Sequence, residues 1–499
     1  MTASDVYLLS PEISMVGLAV LVVLADLIFR QKGVVAFLAI VGLAVPVAFS
    51  IALWIDIDGE ATSQRFLELG QATTFAVDHF SLFFKFLVIA VVGLVLLVSQ
   101  DYVGRFAKYR GEYYALILLS AVGMMLLPST TELITIYVSL ELATIPLVVL
   151  SAFLRDARST EAAMKFFVLA AVSSALLLYG MVLVYGFTGS TQLSVIAERI
   201  QEQPVESIAF GAAPLLLGVV LIVAGFGFKM ALAPFQMWVP DVYEGSPTPI
   251  TAYLSVASKA AAFAVLIRVF YLAFGGLSLD WSIGFAVLAV LSMTVGNLMA
   301  IAQTNIKRLL AYSTVAHAGY LMVGVAAVAA RVGDGPTDLG LGGVLFYLVA
   351  YGATNLAAFF AIIAIANKIK SERIDDFAGM GFKAPLLAAV LAISLISLIG
   401  IPPTAGFIGK IYLFNAAVRA DLAWLVVAGA INSVISAYYY LRVIRVMYTG
   451  NETERETVPF SLAARGALAI SAVGIVVLGV IPGYVLDVAQ SAVGVIVGG

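Results

Sequence analysis

Long apolar runs separated by short polar loops repeat along nearly the whole chain. Many are close to the length of about 20 residues that a helix needs to cross the hydrocarbon core of a bilayer. Backbone polar groups in lipid must be satisfied within the segment, which favours helices. The pattern therefore predicts an all-α polytopic membrane protein with about 14 transmembrane helices. The runs are 11–30, 33–55, 77–99, 112–128, 131–153, 162–187, 211–240, 249–273, 281–303, 308–330, 340–366, 384–417, 422–447 and 461–485.

Composition supports this class and excludes several others. Of 499 residues, 62% are hydrophobic and 11% are charged, whereas a soluble domain has about 25% charged residues. The chain contains no cysteine and only two histidines, which excludes iron–sulfur clusters and the usual haem or zinc centres. It also lacks the glycine-rich phosphate-binding loop of an ATPase. We predict no cofactor in this chain and no nucleic-acid partner.

Lysine and arginine are concentrated in the loops on one side of the predicted bundle. Short loops rich in these residues are normally cytoplasmic, so we predict that both termini lie on the periplasmic side. One predicted cytoplasmic loop, with Asp241 and Glu244, has no basic residue. The predicted cytoplasmic loops hold Arg30, Lys32, Arg105, Lys108, Arg110, Arg155, Arg158, Lys307, Arg308, Lys368, Lys370, Arg373, Lys383, Arg442, Arg445, Arg455 and Arg465, and the opposite loops hold Arg65, Arg199, Arg331 and Arg419.

Ionisable side chains interrupt several apolar runs. A charge at the bilayer centre costs about 2.5–3.5 kcal/mol on insertion scales, and such residues are usually functional. Glu141, the acid that the sequence places deepest, and Lys229 lie mid-span, so pairing or a wet cavity is the cheaper solution. Lys85 and Arg268 are nearer to helix ends and are expected to snorkel. The candidate proton-translocating residues are Glu141, Lys165, Lys229, Lys259, His317 and Lys410.

The types of these residues favour proton transfer. Burial in a low-dielectric site makes a lysine release its proton more readily, and a nearby carboxylate reverses this effect. A row of such lysines joined by water forms a proton relay. Taken alone, Lys165 is equally compatible with snorkelling, and His317 with a hydrogen-bonded core position.

Two of the runs are over-long and interrupted by proline, and both carry the motif G-F-x-x-K. The motif occupies Gly225–Lys229 in the seventh run and Gly406–Lys410 in the twelfth. Discontinuous helices at matching positions of two repeats are typical of transport sites. We therefore predict broken helices 7 and 12 within two inverted five-helix repeats. The predicted segments are 1–110 (helices 1–3), 111–275 (first repeat, helices 4–8), 276–448 (second inverted repeat, helices 9–13) and 449–499 (helix 14).

Five stretches resemble the antiporter-like subunits of the proton-pumping NADH:quinone oxidoreductase, respiratory complex I. The resemblance covers essentially the whole chain. The segment PDVYEGSPTPITAYLSVASK, and a lysine rather than an acid at Lys410, indicate the bacterial subunit N group rather than subunits L or M. The stretches are YVSLELATIPLVVLSAF, EAAMKFFVLAAVSSALLLYG, GFKMALAPFQMWVPDVYEGSPTPITAYLSVASKAAAF, NIKRLLAYSTVAHAGYLMVG and SLIGIPPTAGFIGKIYLF.

The resemblance implies a role for each buried group. Glu141 would modulate Lys229, Lys259 would form the centre of the axis, and Lys410 would lie near the proton exit. Lys165 and His317 match a helix-6 lysine and a helix-10 histidine of the family.

The resemblance also implies where the redox chemistry and the partners lie. NADH, FMN, iron–sulfur clusters and quinone would act in other subunits, and the neighbours would be subunit M, small subunits such as K, and lipids of a bacterial inner membrane.

Gln236 stands where many bacterial relatives have histidine, and glutamine orders water but cannot titrate. The alternatives are a large subunit of a cation/proton antiporter, which shares the fold, and a scaffold subunit that does not pump.

Overall fold

Thirteen helices in the described part of the chain are long and apolar enough to cross a membrane. The structure, a computed structural model, describes residues 3–29, 32–58, 64–69, 72–103, 109–202, 213–275, 277, 281–330, 338–450, 458 and 460–497. The prediction of an all-α polytopic membrane protein is confirmed. The predicted loop cations Arg30, Arg105, Lys108, Arg331 and Arg455 lie outside the described residues.

Two long helices in the first half of the chain begin at aspartate caps. Asp78 and Asp156 accept hydrogen bonds from first-turn amides of the helices that follow them. These bonds give a partner to backbone N–H groups that have none within the helix. A π-helical turn at Leu254–Ser258 and another at Phe270–Phe274 belong to one long helical span, 248–274. The helices are α1 (Ala3–Leu8), α2 (Ser10–Ile28), α3 (Lys32–Gly42), α4 (Ala44–Asp58), α5 (His79–Tyr102), α6 (Arg110–Leu126), α7 (Leu133–Ser151), α8 (Ala157–Thr188), α9 (Leu193–Glu202), α10 (Ala213–Met230), α11 (Val239–Gly245), α12 (Thr248–Tyr253) and α13 (Lys259–Val269).

The second half contains a predicted span that glycine and proline divide into two short helices. The predicted run 384–417 divides after Ile399, because Gly400 adopts a left-handed φ of 91° and two prolines follow it. Each piece has 15 residues, or about 22 Å, too short to cross the bilayer core alone. The helices are α14 (Trp281–Ile301), α15 (Ile306–Ala329), α16 (Asp338–Ile369), α17 (Met380–Lys383), α18 (Pro385–Ile399), α19 (Ala405–Arg419), α20 (Ala423–Met447), α21 (Leu462–Val480) and α22 (Gly483–Val497).

A β-hairpin precedes α5, and the sequence reasoning missed it. Strands β1 (Gln64–Leu69) and β2 (Ala72–Asp78) are antiparallel, with Gln64 opposite Asp78. Strand β2 contains two threonines, a phenylalanine and a valine, residue types that favour a pleated, half-buried surface. A search for runs of about 20 apolar residues does not detect strands this short.

The core of the bundle lies at α13, α15 and α16. The spans containing α13 and α16 are 94% and 89% buried, and that of α15 is completely buried. By contrast, the spans of α2, α8, α20 and α21 bury only 33–39% of their residues. Close packing of α14 on α15 depends on Gly296 and Gly319, since a Cβ on either would lie 2.6 or 2.7 Å from the backbone of the neighbouring helix. The three central helices therefore hold side chains away from lipid and water.

Candidate functional site

Lys229 lies in the last turn of α10, where the chain turns away from the helix axis. Its side chain is buried, and its ammonium group donates a hydrogen bond to Thr144 Oγ1 of α7 at 2.7 Å. The turn depends on Gly227, because a Cβ there would lie 2.7 Å from the ring of Phe235. Lys229 is therefore held inside the bundle at a helix end, with a hydroxyl group as its polar partner.

Glu141 lies on α7 one turn before Thr144, on the same face of the helix. Its carboxylate accepts a hydrogen bond from Ser174 Oγ of α8. The predicted neighbours Glu141 and Lys229 are thus on facing helices, but no direct ion pair joins them among the residues that the structure describes. Because a hydroxyl can both donate and accept, Thr144 is placed to relay a proton beside them.

A small cavity separates Lys229 from the next lysine of the row. Its volume is ≈ 10 Å³, and its walls include Thr144, Ser258 and Ala262. This volume suits about one water molecule. Lys229 and Ser258, the residue before Lys259, both line this cavity.

Lys259 begins α13 directly after the π-helical turn Leu254–Ser258. It is 2% exposed, and its ammonium group donates to the backbone carbonyl of Thr314 on α15 at 2.5 Å. The same group lies 4.9 Å from the centroid of the Tyr351 ring, a distance at which a cation is attracted to an aromatic face. Single π-helical turns inside α-helices occur frequently at functional sites, and here the turn sets the start of the lysine-bearing helix.

Four tyrosines surround His317. The Tyr347 hydroxyl lies 2.6 Å from Nδ1 and the Tyr440 hydroxyl 3.4 Å from Nε2, with donor and acceptor roles set by the tautomer. The rings of Tyr351 and Tyr320 lie 5.3 and 5.5 Å from the imidazole centroid. Both ring nitrogens of the buried histidine therefore have a hydroxyl group that can exchange a proton with them.

Lys410 occupies the gap between the two short helices. Its ammonium group donates to the carbonyls of Leu398 and Ile399 at 3.2 and 2.9 Å, and to Ser433 Oγ at 3.1 Å. The carbonyls are at the C-terminal end of α18, where the helix dipole favours a cation. Ser433 in turn donates to the Tyr320 hydroxyl at 3.1 Å.

The structure therefore brings Lys259, His317 and Lys410 into one buried row. Hydroxyl groups lie between successive members: Thr314 and Tyr351 next to Lys259, and Tyr320 and Ser433 next to Lys410. Sequence reasoning missed these hydroxyl groups. A usable signal was present, since Tyr320 follows His317 by one helical turn, and Tyr347 and Tyr351 are one turn apart in an apolar segment.

Replacing Tyr347 by phenylalanine is expected to destabilise the row. The change removes the hydroxyl group at Nδ1 of the buried His317 and leaves that nitrogen without this partner, which costs about 1–3 kcal/mol. Thermal unfolding of the detergent-solubilised protein measures the effect. Tyr438→Phe is the control, because Tyr438 is 62% exposed on the outer surface of the bundle and its loss is expected to change stability by less than about 0.5 kcal/mol. Equal stability of the two variants would contradict the assignment.

Lys165 lies apart from the buried row, at the edge of the bundle. Its side chain is 46% exposed, and its ammonium group is 2.9 Å from Glu161 and 2.9 Å from Asp241. The structure thus places this candidate residue in a surface ion-pair cluster on the predicted cytoplasmic side.

The same cluster explains the predicted cytoplasmic loop that lacks basic residues. Asp241 lies 2.6 Å from Arg308, and Glu244 lies 3.0 Å from Arg308 and 2.7 Å from Arg158. Arg158 and Arg308 lie in the first turns of α8 and α15, in segments that the sequence predicts to be cytoplasmic. The acidic loop is therefore on the same side as the basic loops and is neutralised by them.

The Asp241 carboxylate is expected to lose its contribution to stability only in acid. Partial burial raises the pKa of Asp241, but the ion pairs with Lys165 and Arg308 outweigh burial and hold it below the ordinary value of 3.8. A carboxylate whose pKa is lower in the folded state stabilises that state at pH values above its ordinary pKa. This contribution disappears as the pH falls through the lowered pKa. The difference in melting temperature between the native protein and Asp241→Asn should stay constant from about pH 7 to 5 and shrink only below the ordinary carboxyl range. Asp421→Asn, in the loop between α19 and α20, is the control. A difference that already shrinks near neutral pH would contradict the assignment.

Two cations predicted to snorkel form buried ion pairs instead, so that prediction is wrong. Lys85 is 2.9 Å from Glu12, with side-chain exposures of 0% and 4%, although the contact is not aligned as a hydrogen bond. Arg268 donates from Nη2 to both carboxylate oxygens of Asp78 at 2.8 Å. The acids come from distant parts of the sequence, and pairing inside the bundle removes the need to reach an interface. Glu12 and Asp78 are therefore buried acids that sequence reasoning missed.

Comparison with known proteins identifies the family of the chain. Residues 130–436, more than half of the chain, match the family described as NADH:quinone oxidoreductase/Mrp antiporter, TM. NADH-quinone oxidoreductase subunit N of Dehalococcoides mccartyi is 43% identical over 496 residues, which cover 98% of this chain and 99% of the relative. The subunit N of Trichlorobacter lovleyi is also 43% identical, over 97% of this chain and 96% of the relative.

Solved structures show the same relationship in three dimensions. A chain of respiratory complex I from Thermus thermophilus with bound aureothin is 34% identical, with a TM-score of 0.76 over 96% of this chain and 98% of that chain. A chain of the Mrp complex from Dietzia sp. DQ12-45-1b has a TM-score of 0.82 over 99% and 97% of the two chains, but its identity of 21% shows a shared fold alone. The chain thus belongs to the subunit N family of the NADH-quinone oxidoreductases.

Proposed function

We propose that this chain is a proton-translocating subunit in the membrane arm of an NADH:quinone oxidoreductase. The observation that carries the proposal is the buried row from Lys259 through His317 to Lys410. His317 and Lys410 hydrogen-bond to hydroxyl groups, and Lys259 donates to the backbone carbonyl of Thr314, whose hydroxyl group contacts Tyr351. Hydroxyl and imidazole groups both donate and accept hydrogen bonds, as proton transfer requires. The row is closely packed, so it suits protons better than a larger solute.

The chain's own residues hold and pass protons, and electrons move elsewhere. NADH, FMN, iron–sulfur clusters and quinone act in other subunits of the complex, and no redox cofactor is bound in this chain. A charge change along the membrane arm alters the balance between Glu141 and Lys229. Lys229 then passes a proton towards Lys259, and His317 carries it to Lys410 and the periplasmic side.

The matching breaks after α10 and between α18 and α19 support a two-unit design. The first break leaves Lys229 in the last turn of α10, and the second lets the Lys410 ammonium group of α19 reach the last carbonyls of α18. Helix ends expose unpaired backbone groups that interact with charge. The two inverted five-helix repeats therefore each supply one lysine, and Lys259 connects them.

The chain lies in a bacterial inner membrane with both termini on the periplasmic side. Its partners are the other membrane-arm subunits, with subunit M and small subunits such as K as neighbours, and lipids. The alternative, a large subunit of a cation/proton antiporter, is less favoured. The relatives that match this chain at 43% identity are named subunit N of NADH-quinone oxidoreductase, whereas the similarity to the Mrp complex is 21%.

Co-purification separates the two assignments. The tagged chain is isolated from native membranes in mild detergent, and the accompanying proteins are identified by mass spectrometry. We expect the other subunits of complex I, together with NADH oxidation activity. Recovery of small antiporter subunits, with sodium-dependent proton transport and no NADH oxidation, would contradict the proposal.

A further inference from the structure

A large polar cavity lies on the predicted cytoplasmic side of the bundle. Its volume is ≈ 940 Å³, enough for many water molecules, each of which occupies about 30 Å³ in the liquid. The cavity lies between the loop before α8, the end of α11, the start of α15 and the end of α16. We call it the vestibule. Its lining includes Arg158, Glu244, Thr248, Thr304, Lys307 and Glu372.

Lys307 lies at the inner wall of the vestibule. The sequence placed it in a loop, but it is 2% exposed, at the start of α15. Its ammonium group donates to Glu372 Oε1 at 3.1 Å and to the backbone carbonyl of Ser246 at 2.9 Å. Glu372, at 24% exposure, lies between this lysine and the water of the vestibule. Lys307 is thus a buried cation in contact with a water-accessible carboxylate.

A line of hydroxyl groups leads inward from Lys307. Thr314 lies seven residues further along α15, or about 10.5 Å. Helix α11 runs beside this stretch. The backbone carbonyl of Ser246, directly after its last residue, accepts the hydrogen bond from Lys307, while the side chain of Tyr243 hydrogen-bonds to Thr314. Ser246 Oγ is completely buried and has no hydrogen-bond partner among the described residues, a group that buried water commonly satisfies.

The inner end of this line is the first lysine of the central row. The backbone carbonyl of Thr314 accepts the hydrogen bond from the Lys259 ammonium group, and its hydroxyl contacts Tyr351 at 2.9 Å. Lys307 and Lys259 are therefore bonded to the backbone carbonyls of Ser246 and Thr314, and the Tyr243 side chain reaches Thr314 from the same helix that Ser246 follows.

We propose that protons enter the buried row through the vestibule, with Lys307 as the uptake residue and the hydroxyl groups of Ser246, Tyr243 and Thr314 as the path to Lys259. The Lys307 ammonium group gives one proton to the hydroxyl line, and the Lys259 amine takes one from its inner end. Water in the vestibule then returns a proton to Lys307. Glu372 holds the cation between transfers. This inference rests on the proposed proton translocation and adds the place of uptake.

Replacement of Lys307 by methionine in the whole complex tests the uptake role. We expect NADH-driven proton transport into inverted membrane vesicles to fall by about 100-fold or more, as for loss of a positioned acid–base group. Small alkylamines added to the Lys307→Met vesicles should restore transport, because they fit the vestibule and replace the missing amine. A purely structural role for Lys307 would not give such rescue. Normal transport in Lys307→Met, or loss without amine rescue, would overturn the inference.

The same vesicles distinguish failure of this inference from failure of the proposed function. If Lys259→Met stops transport while Lys307→Met does not, translocation stands and uptake occurs elsewhere. If neither change affects transport, the proposed function itself fails.

Cysteine labelling tests access to the vestibule independently. The chain has no native cysteine, so Thr304→Cys introduces one exposed thiol at the vestibule wall. A charged, membrane-impermeant thiol reagent applied from the cytoplasmic side is expected to slow proton transport in this variant. Asp375→Cys, which is exposed and outside the lining, should react without slowing transport. Complete modification of Thr304→Cys with unchanged transport would overturn the inference.

Discussion

Replacing Lys259 by methionine is expected to stop proton transfer through this chain. Methionine fills a similar volume but cannot hold a proton, and Lys259 is the buried group between the surroundings of Lys229 and the tyrosines around His317. Loss of a positioned proton-transfer group lowers rates by about 10²–10⁴-fold. NADH-driven proton transport in inverted membrane vesicles measures the effect, and tightly coupled NADH oxidation should slow with it.

Lys368→Met is the matched control for this experiment. Lys368 is an exposed lysine near the end of α16, outside the row, so its replacement should leave transport unchanged. The amount of assembled complex is measured in both variants by native gel electrophoresis. Normal transport in a fully assembled Lys259→Met complex would contradict the role given to this lysine.

Replacing Asp78 by leucine is expected to produce the largest loss of stability. The carboxylate caps α5 and accepts two hydrogen bonds from Arg268, whose side chain is 2% exposed. Removing one partner of a buried ion pair leaves an unpaired buried charge and costs about 3–5 kcal/mol. The loss of stability is measured by thermal unfolding of the purified complex, with release of this chain as the signal.

Two further variants define the cause of this loss. In the double variant Asp78→Leu/Arg268→Met, no unpaired charge remains, so much of the stability should return. Asp58→Asn alters the contact between His79 and Asp58, whose side chain is 58% exposed, at the same end of the bundle. Exposed contacts of this kind contribute only about 0–1 kcal/mol. A double variant as unstable as Asp78→Leu would show that the ion pair is not the source of the effect.

The sequence was sufficient to predict the membrane class and the deepest charges, because lipid imposes strong rules on composition. A lysine inside a long apolar run, such as Lys229 or Lys410, is visible without any structure. Residues near helix ends are not visible in the same way. Lys307 was predicted to lie in a loop, and Lys85 was predicted to snorkel. A 20-residue window does not locate a helix boundary closely enough to show whether a side chain near it is buried.

Partners from distant parts of the chain could not be predicted for a related reason. Glu12 meets Lys85, and Asp78 meets Arg268, only because the helices pack side by side in three dimensions. The tyrosines around His317 were overlooked because tyrosine contributes to apolar runs, and its hydroxyl group matters only once its neighbour is known. Periodicity predicts which segments are helices, whereas their lateral arrangement depends on packing contacts such as those of Gly296 and Gly319.

The number of protons transported per NADH in membranes containing the Lys229→Ala complex tests proton translocation by this chain most directly. Lys229 is buried, and its ammonium group contacts only Thr144 by hydrogen bonding among the described side chains; alanine removes the titratable group. We expect a lower ratio of protons to NADH, together with slower coupled oxidation. An unchanged ratio with unchanged coupled oxidation in a fully assembled complex would contradict proton translocation through this chain.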